Sequence, residues 1–122
     1  MAKILIVEDD AFLSKMYAKK FQIAGYEVQV AHDGVEGYAK AKSFVPDLIL
    51  MDILMPKQNG IETLDKIKAD PATKGIPVVM ATNLSTTDDA NTAIKKGAAK
   101  YVVKSEVTPA EMVTVVSGLL KH

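Results

Sequence analysis

The sequence predicts a doubly wound α/β domain, a five-stranded parallel sheet with five helices divided between its faces. Three observations predict it. Five short runs rich in aliphatic residues recur along the chain, at 3–7, 26–31, 47–51, 78–82 and 100–104. Each is followed by a stretch with apolar residues at helical spacing. Several of the runs are apolar at consecutive rather than alternate positions, as expected of strands covered on both faces. Such alternation of strand and helix implies right-handed crossovers between parallel neighbours.

Lys3-Ile4-Leu5-Ile6-Val7 reads as a buried strand that Glu8-Asp9-Asp10 closes abruptly. A helix follows to about residue 24, with Phe12, Leu13, Met16, Tyr17, Phe21 and Ala24 as its apolar positions. Gly25 ends it, in the place where a left-handed residue terminates a helix. Residues 26–31 alternate as the second strand, and Asp33-Gly34 turns into a helix over 35–43. Phe44-Val45-Pro46 breaks that helix, because a residue before proline is pushed out of the helical region. The third strand, 47–51, is an almost unbroken apolar run carrying Asp52 at its far end.

Lys57-Gln58-Asn59-Gly60 is loop chemistry, and Ile61, Leu64 and Ile67 mark one face of a third helix ending before Pro71. Gly75 and Pro77 bracket the loop into the fourth strand, 78–82. Ser85-Thr86-Thr87-Asp88 offers N-caps for a fourth helix, and Lys95-Lys96-Gly97 closes it with cations where the helix dipole favours them. Residues 100–104 form the fifth strand. Thr108-Pro109-Ala110-Glu111 is a capping box with proline at the first helical position, opening a last helix to about residue 120. No repeat, linker or low-complexity segment interrupts the series, so residues 1–122 are expected to form one domain.

Composition narrows the function. With 48% apolar residues, 122 positions suffice for a packed core. Formal net charge is +0 and no basic run stands out, so direct nucleic-acid binding is not expected. No apolar stretch approaches the ~20 residues of a membrane span, and Met1-Ala2-Lys3 leads into a strand rather than a signal peptide. The absence of cysteine removes disulfides, thiolate metal sites and thiol nucleophiles, and agrees with a cytoplasmic location. His32 and His122 are the only histidines, and both are expected to be exposed and idle. A Ser-His-Asp triad is therefore not expected.

In open α/β sheets, ligands bind at the carboxyl ends of the strands. The polar residues at those ends are Glu8 and Asp9, then Asp52, Thr82 and Lys104. Taken singly these are a turn acid, a strand-end threonine and a snorkelling lysine. Four strands placing acid, acid, hydroxyl and ammonium on one rim are hard to ascribe to accident. Two like charges 4 Å apart cost about 4 kcal/mol at an effective dielectric of 20, so three clustered carboxylates call for a cation. Oxygen ligation without cysteine or a useful histidine points to Mg²⁺, with Mn²⁺ as the alternative. An aspartate so placed can attack phosphorus, with Lys104 and Thr82 meeting the phosphoryl oxygens. No glycine-rich phosphate loop or dinucleotide fingerprint occurs, so a bound nucleotide is not expected.

The chain resembles the response-regulator receiver domains of two-component signalling over nearly all of its length. The matching features, in order, are Ile4-Leu5-Ile6-Val7-Glu8-Asp9-Asp10, Asp52-Ile53-Leu54-Met55-Pro56 with Gly60, Pro77-Val78-Val79-Met80-Ala81-Thr82, then Tyr101 and Lys104. The resemblance implies a flavodoxin-like sheet of order 2-1-3-4-5. It implies that Asp52 takes a phosphoryl group from a sensor histidine kinase or phosphotransfer protein. It also implies a Mg²⁺ site made by Asp9, Asp52 and the backbone carbonyl of Leu54, with Glu8 assisting through water. Thr82 and Tyr101 would form the switch, the hydroxyl moving to the phosphoryl group and the ring turning inward. Output would pass through the face of helix four, strand five and helix five, to an effector protein or an output domain outside this chain. A phosphorylation-dependent dimer is among the assemblies this implies.

Two positions depart from the family. Proline usually follows the active-site lysine through a cis bond, whereas Lys104 is followed by Ser105. A cis bond to a non-proline costs ~2.5–4 kcal/mol, leaving strain or a trans, differently shaped loop as the alternatives. A small residue usually follows the switch threonine, and here it is Asn83. Asn83 either narrows access to Asp52 or contacts the phosphoryl group.

Two other readings compete. A Mg²⁺-dependent phosphohydrolase of the haloacid-dehalogenase kind carries a second aspartate two residues after its nucleophile. That position is Leu54, so turnover as an enzyme is not expected. A degenerate receiver acting only as a binding module would lack some of the acceptor, metal, hydroxyl and lysine positions, all of which are filled. Leu54 and Leu84, both apolar, flank the path of the water that hydrolyses the aspartyl phosphate in the family. They predict a long-lived phosphoryl group.

Overall fold

A computed structural model describes residues 1–53, 55, 58–83 and 87–120, with the backbone alone at 87–89. The elements alternate from β1 (Lys3–Val7) and α1 (Ala11–Ile23) to β2 (Glu27–Ala31) and α2 (Gly34–Phe44). They continue through β3 (Leu48–Met51), α3 (Gly60–Ala69), β4 (Val78–Thr82) and α4 (Thr87–Lys95). The series ends with β5 (Lys100–Val103) and α5 (Pro109–Leu120), joined by a single 3₁₀ turn, Lys104–Glu106. The five strands are parallel, in the order β2-β1-β3-β4-β5.

Alternation along the strands sorts the core into two layers. Leu5, Val7, Ile49, Met51, Val78 and Met80 face one way, onto Ala41 and Phe44 of α2, Leu64 and Ile67 of α3 and Ala93 of α4. Ile4, Ile6, Leu48, Leu50, Val79 and Ala81 face the other way, onto Tyr17 and Phe21 of α1 and Met112 and Val116 of α5. Both layers are apolar and buried, which is why β1, β3 and β4 read as continuous apolar runs.

Local signals behave as their chemistry requires. Asp10 caps α1 by accepting from the Leu13 amide at 3.0 Å, and Asp33 caps α2 by accepting from that of Glu36 at 2.8 Å. Asn59 does the same for α3. Thr108 and Glu111 close the expected capping box in both directions, at 3.1 and 2.9 Å. Gly25 adopts a φ of +100° past the end of α1. Helix two begins a residue earlier than the sequence predicts, at Gly34. A Cβ there would lie 2.1 Å from Thr63 Oγ1, so only glycine lets α2 and α3 approach so closely.

The α1 stripe differs from expectation. The buried residues are Ser14, Tyr17 and Phe21, while Phe12 is 75% exposed and Ala24 is exposed too. At about 100° per residue, Phe12 lies on the far side of the helix from the 14–17–21 stripe. The small Ser14, whose hydroxyl donates to the Ala11 carbonyl at 3.1 Å, takes the position facing the sheet. The N-caps expected at Ser85 and Thr86 lie outside the described residues.

Candidate functional site

The rim at the carboxyl ends of β1, β3, β4 and β5 gathers Glu8, Asp9, Asp52, Thr82 and Lys104. Sheet hydrogen bonding carries the acids there. The Glu8 amide donates to the Ala31 carbonyl at 2.9 Å and the Asp52 amide to that of Val7 at 3.0 Å, continuing the parallel ladders one residue past β1 and β3. Glu8 and Asp52 are nonetheless buried, at 3% and 8% exposure. Lys104 opens the 3₁₀ turn after β5 rather than ending the strand, and this turn sends its side chain back across the rim. Its ammonium donates to Asp52 Oδ2 at 2.9 Å and also to Glu8 Oε1. The other Glu8 oxygen accepts from the Asp10 amide at 3.2 Å, which ties the acid to the start of α1.

This is a buried network of one cation and two anions, and its electrostatics are unequal. Burial pulls Lys104 towards neutrality, but hydrogen bonds to Glu8 and Asp52 outweigh it and raise its pKa above the ordinary lysine value. Burial pushes the Glu8 carboxyl upward, and the hydrogen bond and charge of Lys104 only partly reverse that. The asymmetry follows from the count of charges. Two carboxylates stabilise one ammonium, whereas Glu8 shares its cation with Asp52.

Asp9 is exposed and completes a triad of carboxylates. One oxygen each from Glu8, Asp9 and Asp52 lies within 4.8 Å of the others, close enough to ligate one ion. A donor set made wholly of carboxylate oxygen suits a hard divalent cation. The carbonyl of Leu54, expected as a further ligand, lies outside the described residues, as does Leu84.

Thr82 ends β4 with 1% exposure, and Tyr101 is half-buried on the neighbouring strand. In register, Met80 pairs with Tyr101 and Thr82 with Val103. Thr82 shares its parity with Val78 and Met80, and Tyr101 packs against the same layer, which α4 helps cover. Hydroxyl and ring are thus on one side of the sheet, while Glu8 and Asp52 continue the parity of the other. Asn83 follows, exposed. Among the described residues no peptide bond is cis, so the Lys104–Ser105 bond is trans and the loop turns there by its 3₁₀ geometry. His32 is exposed and its amide donates to Glu36 Oε1 at 2.6 Å, while His122 lies outside the described residues.

One member of the site escapes sequence reasoning. Tyr17 reads from its spacing as plain core, yet it lines a small cavity together with Glu8, Asp52 and Lys104. The signal was a hydroxyl-bearing aromatic in an apolar stripe, on the helix directly following the acids.

Residues 4–117 match the family model described as the response regulator receiver domain. The DNA-binding dual master transcriptional regulator RpaA of Synechocystis is 36% identical over 122 residues, covering 100% of this chain and 50% of that protein. The DNA-binding response regulator MtrA of Mycobacterium tuberculosis is 33% identical over 120 residues, covering 98% and 51%. The chain thus spans about half the length of these relatives. Among solved structures, a CheY-like response regulator receiver domain protein from Methanospirillum hungatei superposes with a TM-score of 0.92 at 28% identity, covering 99% of this chain and 94% of its own. The chemotaxis protein CheY4 of Vibrio cholerae does so at 0.90 and 30%, covering 97% and 98%.

Proposed function

The chain belongs to the response regulator receiver domain family of two-component signalling, and from that premise we propose that it is a switch phosphorylated on Asp52. The observation that carries the proposal is the Lys104 ammonium held between Glu8 and Asp52, with Asp9 completing the carboxylate triad. An oxygen of Asp52 attacks phosphorus of a phosphohistidine on a sensor kinase or phosphotransfer protein. The new O–P bond forms as the P–N bond breaks, and the imidazole leaves. Lys104, already protonated and aimed at Asp52, then offsets charge on the phosphoryl oxygens. Glu8, Asp9 and Asp52, with the Leu54 carbonyl, would hold Mg²⁺ or Mn²⁺. When bound, that ion neutralises the carboxylates and the phosphoryl oxygens together.

Thr82 supplies the difference between the two states. Its hydroxyl reaches the phosphoryl group only when one is present, and Tyr101, on the same side of the sheet, follows into the space vacated. The surface of α4, β5 and α5 is the output face. It would act on an effector protein, on an output domain elsewhere in the polypeptide, or on a second copy in a phosphorylation-dependent dimer. RpaA and MtrA are DNA-binding proteins by name. The 122 residues here carry no net charge, so any DNA contact would come from outside them. No described helix is long and apolar enough to cross a membrane. The role proposed is that of a cytoplasmic signalling switch without substrate turnover.

Acetyl phosphate with Mg²⁺ should add one phosphoryl group by intact mass, and Asp52→Asn should abolish it. Labelling that persists in Asp52→Asn would refute the assignment.

A further inference from the structure

Among the described residues, the proposed switch leaves one buried titratable side chain without a task. Tyr17 of α1 is 4% exposed. Strand parity decides what it meets. Ile6 and Leu50 point towards α1 and α5, and two residues further on, Glu8 and Asp52 continue that parity past the strand ends. Tyr17 therefore lies on the carboxylate side of the sheet. It lines one cavity with Glu8, Asp52 and Lys104 above an apolar floor that includes Ile6 and Leu50.

The space there for the centre of a water molecule is about 10 Å³, which is room for one. Buried tyrosine hydroxyls normally find a hydrogen-bond partner. Here burial raises the pKa of the phenol, the nearby charge of Lys104 opposes that and those of Glu8 and Asp52 add to it, and no hydrogen bond from the described residues contributes. An ammonium carries three donors, and two of those on Lys104 go to Glu8 and Asp52. A water in the cavity would accept from Lys104 and from Tyr17 and donate to the carboxylates, meeting the two to four partners a buried water requires.

We propose that one water held in this cavity joins the Tyr17 hydroxyl to Lys104, making Tyr17 a positioning residue that fixes the ammonium between Glu8 and Asp52. The water site stands on the geometry alone, and its effect on phosphorylation rests on the reading of Asp52 as acceptor. With the ammonium fixed, the phosphoryl oxygens meet their cation without first ordering a long side chain.

The test is Tyr17→Phe, which keeps the ring and removes the hydroxyl, read first by the NMR signals of lysine ammonium groups in the metal-free protein. Lys104 is assigned by the signal lost in Lys104→Arg. In the wild type its protons should exchange slowly with solvent, and Tyr17→Phe should speed that exchange about three- to tenfold, the worth of one net hydrogen bond. Phosphorylation by acetyl phosphate should slow by a similar factor. Tyr17→Leu, which loses the ring as well, should do no better than Tyr17→Phe. Unchanged Lys104 exchange in a folded Tyr17→Phe protein overturns the proposal. So does normal phosphorylation of Tyr17→Phe with only Tyr17→Leu impaired, since the ring alone would then matter. A wild type that takes no phosphoryl group overturns the acceptor reading instead, and the exchange measurement still decides the water site.

Discussion

Gly60 and Asp52 touch through the backbone: a Cβ on Gly60 would lie 2.1 Å from the Asp52 carbonyl oxygen. The Gly60 amide also donates to the Ile53 carbonyl at 2.8 Å, folding the loop back so that α3 starts directly behind the rim acid. Gly60 has no positive φ to accommodate, so the demand for glycine here is one of space. Gly60→Ala must push α3 away from Asp52 or move Asp52 itself. Overpacking of this kind costs about 1–3 kcal/mol. We expect a lower melting temperature together with slower phosphorylation by acetyl phosphate. An alanine variant matching wild type in both would show that the loop yields without moving the acid.

Lys104 pairs with two buried carboxylates at once, so its removal should be felt in stability as well as in signalling. Breaking a buried pair by deleting one partner costs about 3–5 kcal/mol, and protonation of Glu8, already favoured by its burial, will soften this. Lys104→Met should therefore melt well below wild type without divalent cation. Mg²⁺ should recover more stability in Lys104→Met than in wild type, because it then meets carboxylates that have no other cation. An ion present at 100 times its Kd adds about 2.7 kcal/mol. Asp9→Asn should shrink the Mg²⁺-induced shift. Equal thermal shifts in wild type and Asp9→Asn would place the ion elsewhere.

Val45 ends α2 at φ 50° and ψ 63°, a left-handed conformation in which a β-branched side chain is strained. At 58% exposure it gains little from burial there. The left-handed region costs an ordinary residue about 1–2 kcal/mol, and asparagine bears it better. Val45→Asn should raise the melting temperature by about 3–6 °C with phosphorylation unaltered. A fall would mean that the Val45 side chain makes contacts worth more than the strain.

Asp70, just past α3, accepts from the Tyr38 hydroxyl of α2 at 2.6 Å and lies 3.3 Å from Lys42 Nζ. The Tyr38 hydrogen bond, then that of the Ala72 amide, holds the Asp70 carboxyl below its ordinary value. A depressed carboxyl stabilises the fold above its unfolded pKa, and that contribution is lost as pH falls through the folded one. Tyr38 is raised, first by its bond to Asp70, so its contribution is present below about pH 10 and lost above. The melting-temperature gap between wild type and Tyr38→Phe should be widest near neutral pH and narrow towards both acid and alkali. A gap constant from acid to alkali would assign the loss to packing.

What the sequence determined by itself is the ladder of elements and the membership of the rim. Hydrophobic period, caps and breakers are local, so β4 falls on 78–82 as expected, and Thr108 and Glu111 close their box. The strand ends follow from those runs, and with them the acids, Thr82 and Lys104 at one edge. Tertiary structure alone decided how these side chains pair and which way each helix is turned. Lys104 meets Glu8 across 96 positions and Asp52 across 52, and that meeting depends on sheet register and on a 3₁₀ turn with no strong local signature. Phe12 faces solvent and Tyr17 faces the acids because α1 is rotated to set Ser14 against the sheet. An apolar stripe leaves that rotation uncertain by about one residue, or roughly 100°, and only the packing of the whole layer selects one setting.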